Sequence, residues 1–403
     1  MKIIIIGSGA SGLASAIKLS EKHEVIILEK NNISGKKLLI TGNGKCNYYN
    51  DLHDTKKYHS SFENLLAFIK DNDYKKVLDL FDNIGIVPEI KDGYYYPKSN
   101  QATSVKNALE LEAKIKGVNI IYNEEVLEVS KKENKFIVKT NNSTFYSDAL
   151  VIATGGKSFT KTGSDGKGYD FAKNFGHTII KPLPGLVQLE AKDKINQASG
   201  VRCKAKLTLF EDNKEIAEER GELQITNYGI SGICAMQLSS IISKKLDEGK
   251  EEVISINFLE EINDVHEWLI NRNNILKNRT ISQLLEGVLN YKLINVILKK
   301  SKIDQENYLE ELTEDKINKL CENLTNYKLQ ITSTKGFDNA QVTVGGVSLN
   351  EVTSNFESKI VNNLFFTGEV LDVNGDCGGY NLMFAWISGL RVGEYLNDKV
   401  KTN

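Results

Sequence analysis

The chain opens on an unbroken apolar run, Ile3 to Ile6, breaks at Gly7, and resumes with small and apolar residues at helical spacing from Ser11 to Lys22. A second apolar stretch, Glu24 to Leu28, follows at once. Short apolar runs bounded by glycine read as buried strands, so these three segments predict a βαβ opening. The alternation of strand and helix continues to about residue 190. Helical spacing covers Phe62 to Phe81, and strand patterns cover Val118 to Val129, Phe136 to Thr140 and Phe145 to Ala153, with Asn141-Asn142 as turn chemistry between the last two. From about Leu189 the pattern changes. Val201, Cys203, Ala205, Leu207 and Leu209 alternate with polar residues, and Val253 to Phe258 does so less regularly, which predicts half-buried antiparallel sheet. Helical spacing then links Ile281, Leu284, Leu285, Val288 and Leu289, and again Ile317, Leu320, Cys321 and Leu324 after an N-cap at Thr313. Strand patterns return at Leu329 to Thr332, Gln341 to Val344 and Leu364 to Thr367, before a helix over Tyr380 to Leu396.

This order predicts an α/β domain completed by both termini and interrupted by an insertion. The expected divisions are 1–188 for its first part, 189–260 for an inserted β-subdomain, 261–327 for a helical subdomain, 328–345 for the returning strands of the β-subdomain, and 346–403 for its C-terminal part.

Charge narrows the partners. Lys and Arg number 51 against 53 Asp and Glu, a net charge of -2, so no overall positive field draws the chain to nucleic acid or anionic lipid. A small-molecule substrate is expected, with no nucleic acid or membrane partner; nothing in the pattern sets an oligomeric state. The five cysteines are far apart, odd in number and free of any C-x-x-C pair, which fits a reducing, cytoplasmic setting better than a disulfide framework. The histidines are equally scattered, and no metal is expected. The glycines after Ile6 argue against a signal peptide, and no apolar stretch approaches the length of a membrane span.

Three motifs carry chemistry. Gly7-x-Gly9-x-x-Gly12 follows a strand and opens a helix, and the next strand ends in Glu29, 17 residues past Gly12. Gly7 permits the tight turn, Gly9 lets backbone approach a pyrophosphate, and Gly12 lets helix and strand pack closely. With Ala10 and Ser11 they form a helix N-terminus that attracts phosphates, while Glu29, followed by Lys30, would accept ribose hydroxyls and repel a 2'-phosphate. The second motif is the small-residue loop Gly35 to Asn47, in which Lys37, Leu38, Thr41, Gly42, Asn43, Gly44, Cys46 and Asn47 leave backbone free to lie against a flat ring. The third pairs Gly368, Glu369 and Asp372 with Gly379, Tyr380 and Asn381 at the start of the last helix, a second helix N-terminus suited to negative charge on a reduced flavin. Motifs at both chain ends imply a cofactor too long for one of them, FAD, with its ADP half at the first and its isoalloxazine at the third.

Together, Gly35 to Asn47, Val151 to Gly156, Gly229-Ile230-Ser231-Gly232, Val342 to Val347 and Thr367 to Gly389 resemble the BaiN-like (YhiN-type) FAD-dependent oxidoreductases over essentially the whole chain. The resemblance implies a glutathione-reductase-like FAD-binding Rossmann domain interrupted by a β-subdomain and a helical subdomain. It also implies that backbone near Val126 meets the adenine and that Ala153, Thr154, Gly155 and Gly156 lie beside the cofactor. Two positions depart from the family pattern. Thr226-Asn227-Tyr228-Gly229-Ile230-Ser231-Gly232-Ile233 lacks a histidine and a proline often found there, and Tyr94 replaces the usual arginine after Gly93.

No second strand-GxGxxG-helix unit is present for a nicotinamide cofactor, so NAD(P)H is expected as a transient reductant; Gly163 to Gly168 has the wrong spacing. The lack of C-x-x-C disfavours disulfide reduction. The resemblance includes enzymes that saturate a carbon-carbon double bond conjugated to a ketone, as in dehydro-bile-acid reduction, and others that oxidise small amines such as aminoacetone. The preferred reading is reduction of a conjugated double bond in a small apolar substrate, with an amine oxidase or a non-catalytic FAD-binding protein as alternatives. Tyr380 or Tyr228 is the candidate proton donor. Cys46 is either redox-active at the flavin or a small buried residue that fits the loop.

Overall fold

The structure, a computed structural model, describes residues 1–211 and 214–399; positions 400–403, the end of the expected C-terminal segment, lie outside the described residues. Two compact units result, one made of residues 1–183 with 341–403 and the other of residues 184–340.

In the first unit the four isoleucines form the centre of a five-stranded parallel sheet. Its order is Leu364–Phe366, Ala149–Ile152, Lys2–Ile6, Glu24–Glu29, Asn119–Tyr122. A parallel strand buried on both faces has no polar side to show, which is why Ile3, Ile4 and Ile5 are contiguous and fully buried. Two helices from opposite chain ends pack together beside the dinucleotide motif. The first, Ala10–Leu19, lies against the last, Tyr380–Lys399, so closely that a Cβ on Gly389 would stand 2.5 Å from the Ser11 carbonyl oxygen.

Three predicted segments divide differently from their patterns. The helix expected from Phe62 begins only at Asp71, because the Asp73 carboxylate accepts the Lys70 N–H at 2.8 Å and closes the helix N-terminus there. The run Val118 to Val129 breaks where Asn123 takes φ +54 and the Glu124 N–H bonds the Glu29 carbonyl, so it feeds two sheets, through Asn119–Tyr122 and Val126–Lys132. Phe145 to Ala153 breaks likewise at Asp148, which exchanges backbone and carboxylate bonds with Lys2. Thr144–Ser147 then belongs to an antiparallel sheet with Lys135–Thr140 and Val126–Lys132, and Ala149–Ile152 to the parallel one. Alternation of side chains is blind to a change of sheet.

The second unit is built on a closed six-stranded barrel of Leu189–Ala191, Gly229–Ser231, Lys214–Ile225, Arg202–Glu211, Glu252–Asn257 and Tyr327–Thr334. Leu189–Ala191 closes it by pairing also with Tyr327–Thr334. Inward residues such as Leu207, Leu209, Leu223, Ile254 and Leu329 share one apolar core with the helices Val265–Ile275, Tyr291–Lys300 and Glu314–Thr325. Val342–Val347, expected among the strands returning to this sheet, pairs instead with Ile179–Gly185, and its Gly345 packs on the carbonyls of Ile180 and Lys181 in the first unit. Among the described residues no helix is long and apolar enough to cross a membrane.

Replacing Gly389 with alanine should loosen the helix pair at its closest point. We expect a loss of about 1–3 kcal/mol, read as a lowered unfolding midpoint; an unchanged midpoint would show that the helices do not rely on this contact.

Candidate functional site

The first motif folds as a turn from strand to helix. Gly7 adopts φ +101, where a Cβ would lie 2.7 Å from the Ala153 carbonyl oxygen, and a Cβ on Gly12 would lie 2.0 Å from the Gly7 carbonyl oxygen. The fold itself therefore requires these two glycines. Gly9 is different, because a Cβ there would meet no protein atom within 4 Å, although it caps the helix N-terminus in an ordinary extended conformation. The space it keeps open faces nothing in the chain, which is the arrangement a bound pyrophosphate needs. Ala10 is partly buried, and Ser11 donates its hydroxyl to the Thr367 carbonyl at 3.2 Å, tying this turn to the third motif.

Glu29 is buried at the end of the second strand, with both carboxylate oxygens in use. Oε2 accepts the Ser8 N–H at 2.9 Å and the Ser8 hydroxyl at 2.7 Å, and Oε1 accepts the backbone and side-chain N–H groups of Asn31, each at 2.8 Å. Sequence reasoning saw the carboxylate but neither partner. Lys30 turns away from it to pair with Asp165 at 2.6 Å. Val126 is buried at the start of its strand, and Ala153 donates its N–H to Ile6. Thr154 and Gly155 follow, with Gly155 at φ +73, and Gly156 packs against the Thr343 hydroxyl.

The second motif forms a kinked 3-10 segment, Leu38–Gly44, where Gly42, Asn43 and Gly44 all take positive φ. Thr41 closes the turn by donating its hydroxyl to the Leu38 carbonyl at 2.7 Å. Cys46 is fully buried, and burial pushes its thiol up to about 12. It thus fills the loop rather than presenting a thiolate. Asn47, with its amide turned to donate, bonds the carbonyls of Tyr49 at 3.0 Å and Tyr95 at 3.1 Å.

Lys37 leads out of this loop into a polar knot. Its ammonium donates to Glu369 at 2.7 Å and to Ser158 at 2.6 Å, and the other Glu369 oxygen accepts the Ser158 hydroxyl at 2.7 Å and the Thr343 N–H at 2.8 Å. Burial alone would raise the Glu369 carboxyl, but Lys37, Ser158 and Thr343 outweigh it and hold the group below its ordinary range. Four chain segments meet here. Ser158 and Thr343 were missed as site residues. The signal was present in the hydroxyls beside Gly156 and inside Val342 to Val347, yet nothing in the sequence pairs them with Glu369.

The third motif lies on the second. Asn50 donates to the Gly378 carbonyl at 2.9 Å, and a Cβ on Gly379 would stand 3.1 Å from the Asn47 side chain. Gly368 presses on Ser11 and donates its N–H to Ser388. Asp372 is buried and accepts from the Ser61 N–H at 2.9 Å and its hydroxyl at 2.5 Å, a structural tie rather than a free carboxylate. Asn381 clasps Gly375 from both sides, at 2.8 and 2.7 Å. Tyr380 is 3% exposed, and burial, then Tyr94 and Asp376, push its hydroxyl up to about 12. Tyr228 belongs to the second unit, with its ring under the Lys335 ammonium at 4.8 Å. All three motifs thus meet within the first unit.

The model of the HI0933-like protein Rossmann domain matches residues 1–395. The chain belongs to the HI0933-like family. This HI0933-like chain is a flavoprotein oxidoreductase with an FAD-binding Rossmann domain, as the resemblance implied. It is 38% identical to a 3-dehydro-bile acid delta(4,6)-reductase of Clostridium scindens, over 97% of this chain and 98% of the relative. It is 30% identical to a ribosomal RNA dihydrouridine synthase of Escherichia coli over 96% and 95%, and 27% identical to one of Haemophilus influenzae over 96% and 96%.

Two substitutions test the site. Gly9→Ala adds a methyl that meets no protein atom, so it should leave the unfolding midpoint of the cofactor-free protein nearly unchanged while weakening FAD binding in fluorescence titration; equal FAD affinity would remove Gly9 from the site. Lys37→Met should leave the Glu369 carboxylate uncompensated, at a cost of about 1–3 kcal/mol for this partly exposed pair. Since the folded carboxyl titrates below its ordinary 4.5, the pair's contribution is complete above that pH and fades as pH falls through the lower folded value. Wild type and variant should therefore differ most near neutrality and converge in acid; a constant difference across pH would disprove the pairing.

Proposed function

We propose that this HI0933-like oxidoreductase saturates a carbon-carbon double bond conjugated to a carbonyl, with electrons from NADH or NADPH. The observation that carries the reading is the chemistry common to its full-length relatives. A delta(4,6)-reductase of a 3-keto steroid acid and an enzyme that makes dihydrouridine both add hydrogen across a double bond in conjugation with a carbonyl.

The residues present fit FAD. The open position at Gly9, the helix N-terminus of Ala10 and Ser11, and backbone at Ala153 to Gly156 would hold the pyrophosphate side; Glu29 and Val126 would face ribose and adenine. Lys37 and the Leu38 to Asn47 loop, Gly368, and the helix start at Gly379 to Asn381 would hold the ring side. When bound, FAD supplies hydride transfer from its ring nitrogen. The chain's own task is then to position the substrate, exclude water and supply a proton to the second carbon. Tyr380 keeps its proton at neutral pH and stands at the ring-side helix start, so it is the favoured donor over Tyr228.

A small apolar enone is the favoured substrate because the most similar of these relatives acts on a bile acid. A uracil base in RNA is the second reading, favoured by the names of the two dihydrouridine synthases. The test is anaerobic mixing of the purified yellow protein with NADH or NADPH, followed by steroid-type enones or by uridine-containing ribosomal RNA. We expect bleaching by one nucleotide and return of colour with the enone. Return of colour with RNA alone selects the second reading, and bleaching by an amine but by neither nucleotide would sink the proposal.

A further inference from the structure

The central strand of the parallel sheet, Lys2–Ile6, lies between Ala149–Ile152 and Glu24–Glu29, with Ile6 level with Ile152 on one side and Leu28 on the other. The glycine turn that follows it therefore opens between two walls, residues 153–156 and residues 29–31. A dinucleotide in such a sheet occupies that crevice, outside the carboxyl ends of the strands. The chain that leaves the first wall does not stay on its own side. It folds back on Gly155 and Gly156, where the Gly166 N–H donates to the Gly156 carbonyl at 3.1 Å and buried Ser164 puts its hydroxyl 3.0 Å from the place of a Gly155 Cβ. It also reaches the second wall. The Lys30 ammonium pairs with Asp165 at 2.6 Å, the Asn31 amide donates to the Thr162 carbonyl at 3.2 Å, and a Cβ on Gly163 would stand 2.7 Å from that amide nitrogen. A segment fixed to both walls crosses the end of the strand between them. It leaves the turn itself unfilled, since a Cβ on Gly9 would meet no protein atom within 4 Å.

We propose that residues 157–166 are a strap over the ADP half of FAD, latched by Lys30–Asp165 and Asn31–Thr162, and that FAD leaves only when this latch opens. The proposal rests on the FAD placement given above. Asn31 joins strap and ribose site, because the amide nitrogen that holds Thr162 also donates to Glu29 Oε1 at 2.8 Å. A shut strap thus fixes the carboxylate that faces the ribose. Burial would raise the Asp165 carboxyl, but Lys30 and the Lys167 N–H hold it below its ordinary range, so the ion pair is intact at neutral pH. The side chains are 27% exposed for Lys30 and 46% for Asp165, which makes the pair weak enough to open. A pair this exposed adds little to the stability of the fold, so its loss acts on cofactor exchange.

The test is the rate at which FAD leaves the whole FAD-loaded protein, followed by flavin fluorescence after dilution. Asp165→Asn keeps an acceptor for the Lys167 N–H, 3.1 Å away in the wild type, and removes the charge. We expect it to speed release roughly 3-fold, with the unfolding midpoint of the cofactor-free protein unchanged. Raising the salt concentration should close the gap to wild type, because salt screens an exposed pair. Asn31→Ala, which removes the second contact, should also speed release. Wild-type release by Asp165→Asn overturns the latch, as does a gap that persists at high salt. Gly9→Ala separates the two levels of the argument. Faster release in Gly9→Ala with none in the strap variants removes the latch and keeps the FAD placement, whereas unchanged release in all three removes both.

Discussion

The structure depends on the contact between its two ends. Helix Ala10–Leu19 and helix Tyr380–Lys399 approach to backbone distance because Gly389 and Gly393 carry no side chain where they meet Ser11 and Lys18. That contact brings Ser11 under the Thr367 carbonyl and sets Gly368 against the dinucleotide turn. Without it the glycine turn and the C-terminal loop would not be brought together. The strand Leu364–Phe366 repeats the constraint at the level of the sheet, since it pairs with Ala149–Ile152 at the sheet's edge.

Around this seam the site is held by groups whose polarity is spent on one another. Glu29 is satisfied by Ser8 and Asn31, Asp372 by Ser61, and Glu369 by Lys37, Ser158 and Thr343. Glu29 and Asp372 are buried, and buried carboxylates have to be bonded because an unpaired one costs several kcal/mol. Their acceptor capacity therefore serves first to fix the loops. Under the proposed placement of FAD, its recognition would be left largely to backbone and to the open space at Gly9.

Much of this was legible in the sequence where the signal was local. The βαβ opening, the insertion and the return of α/β character at the C-terminus follow from period and glycine spacing, which a parallel sheet and a dinucleotide turn impose directly. What escaped were events between distant segments. Asp148 moves the chain from one sheet to another without disturbing the alternation of its neighbours, and Asp73 delays a helix that Phe62 to Phe81 appeared able to support. Closure of the barrel by Leu189–Ala191 rests on three residues, too few to carry a pattern. Ser158 and Thr343 are ordinary hydroxyls in the sequence and become site residues only through Glu369, which lies 211 positions from the first.

The order of strands in the parallel sheet also bears on how the chain is made. Lys2–Ile6 precedes its neighbour Ala149–Ile152 in the chain, and that neighbour has an open edge until Leu364–Phe366 is synthesised. The barrel unit, a continuous stretch from 184 to 340, is complete in sequence before that edge is covered. A nascent chain thus carries an apolar strand with one uncovered edge while residues 153 to 363 are made, a state in which edge-to-edge association is a hazard.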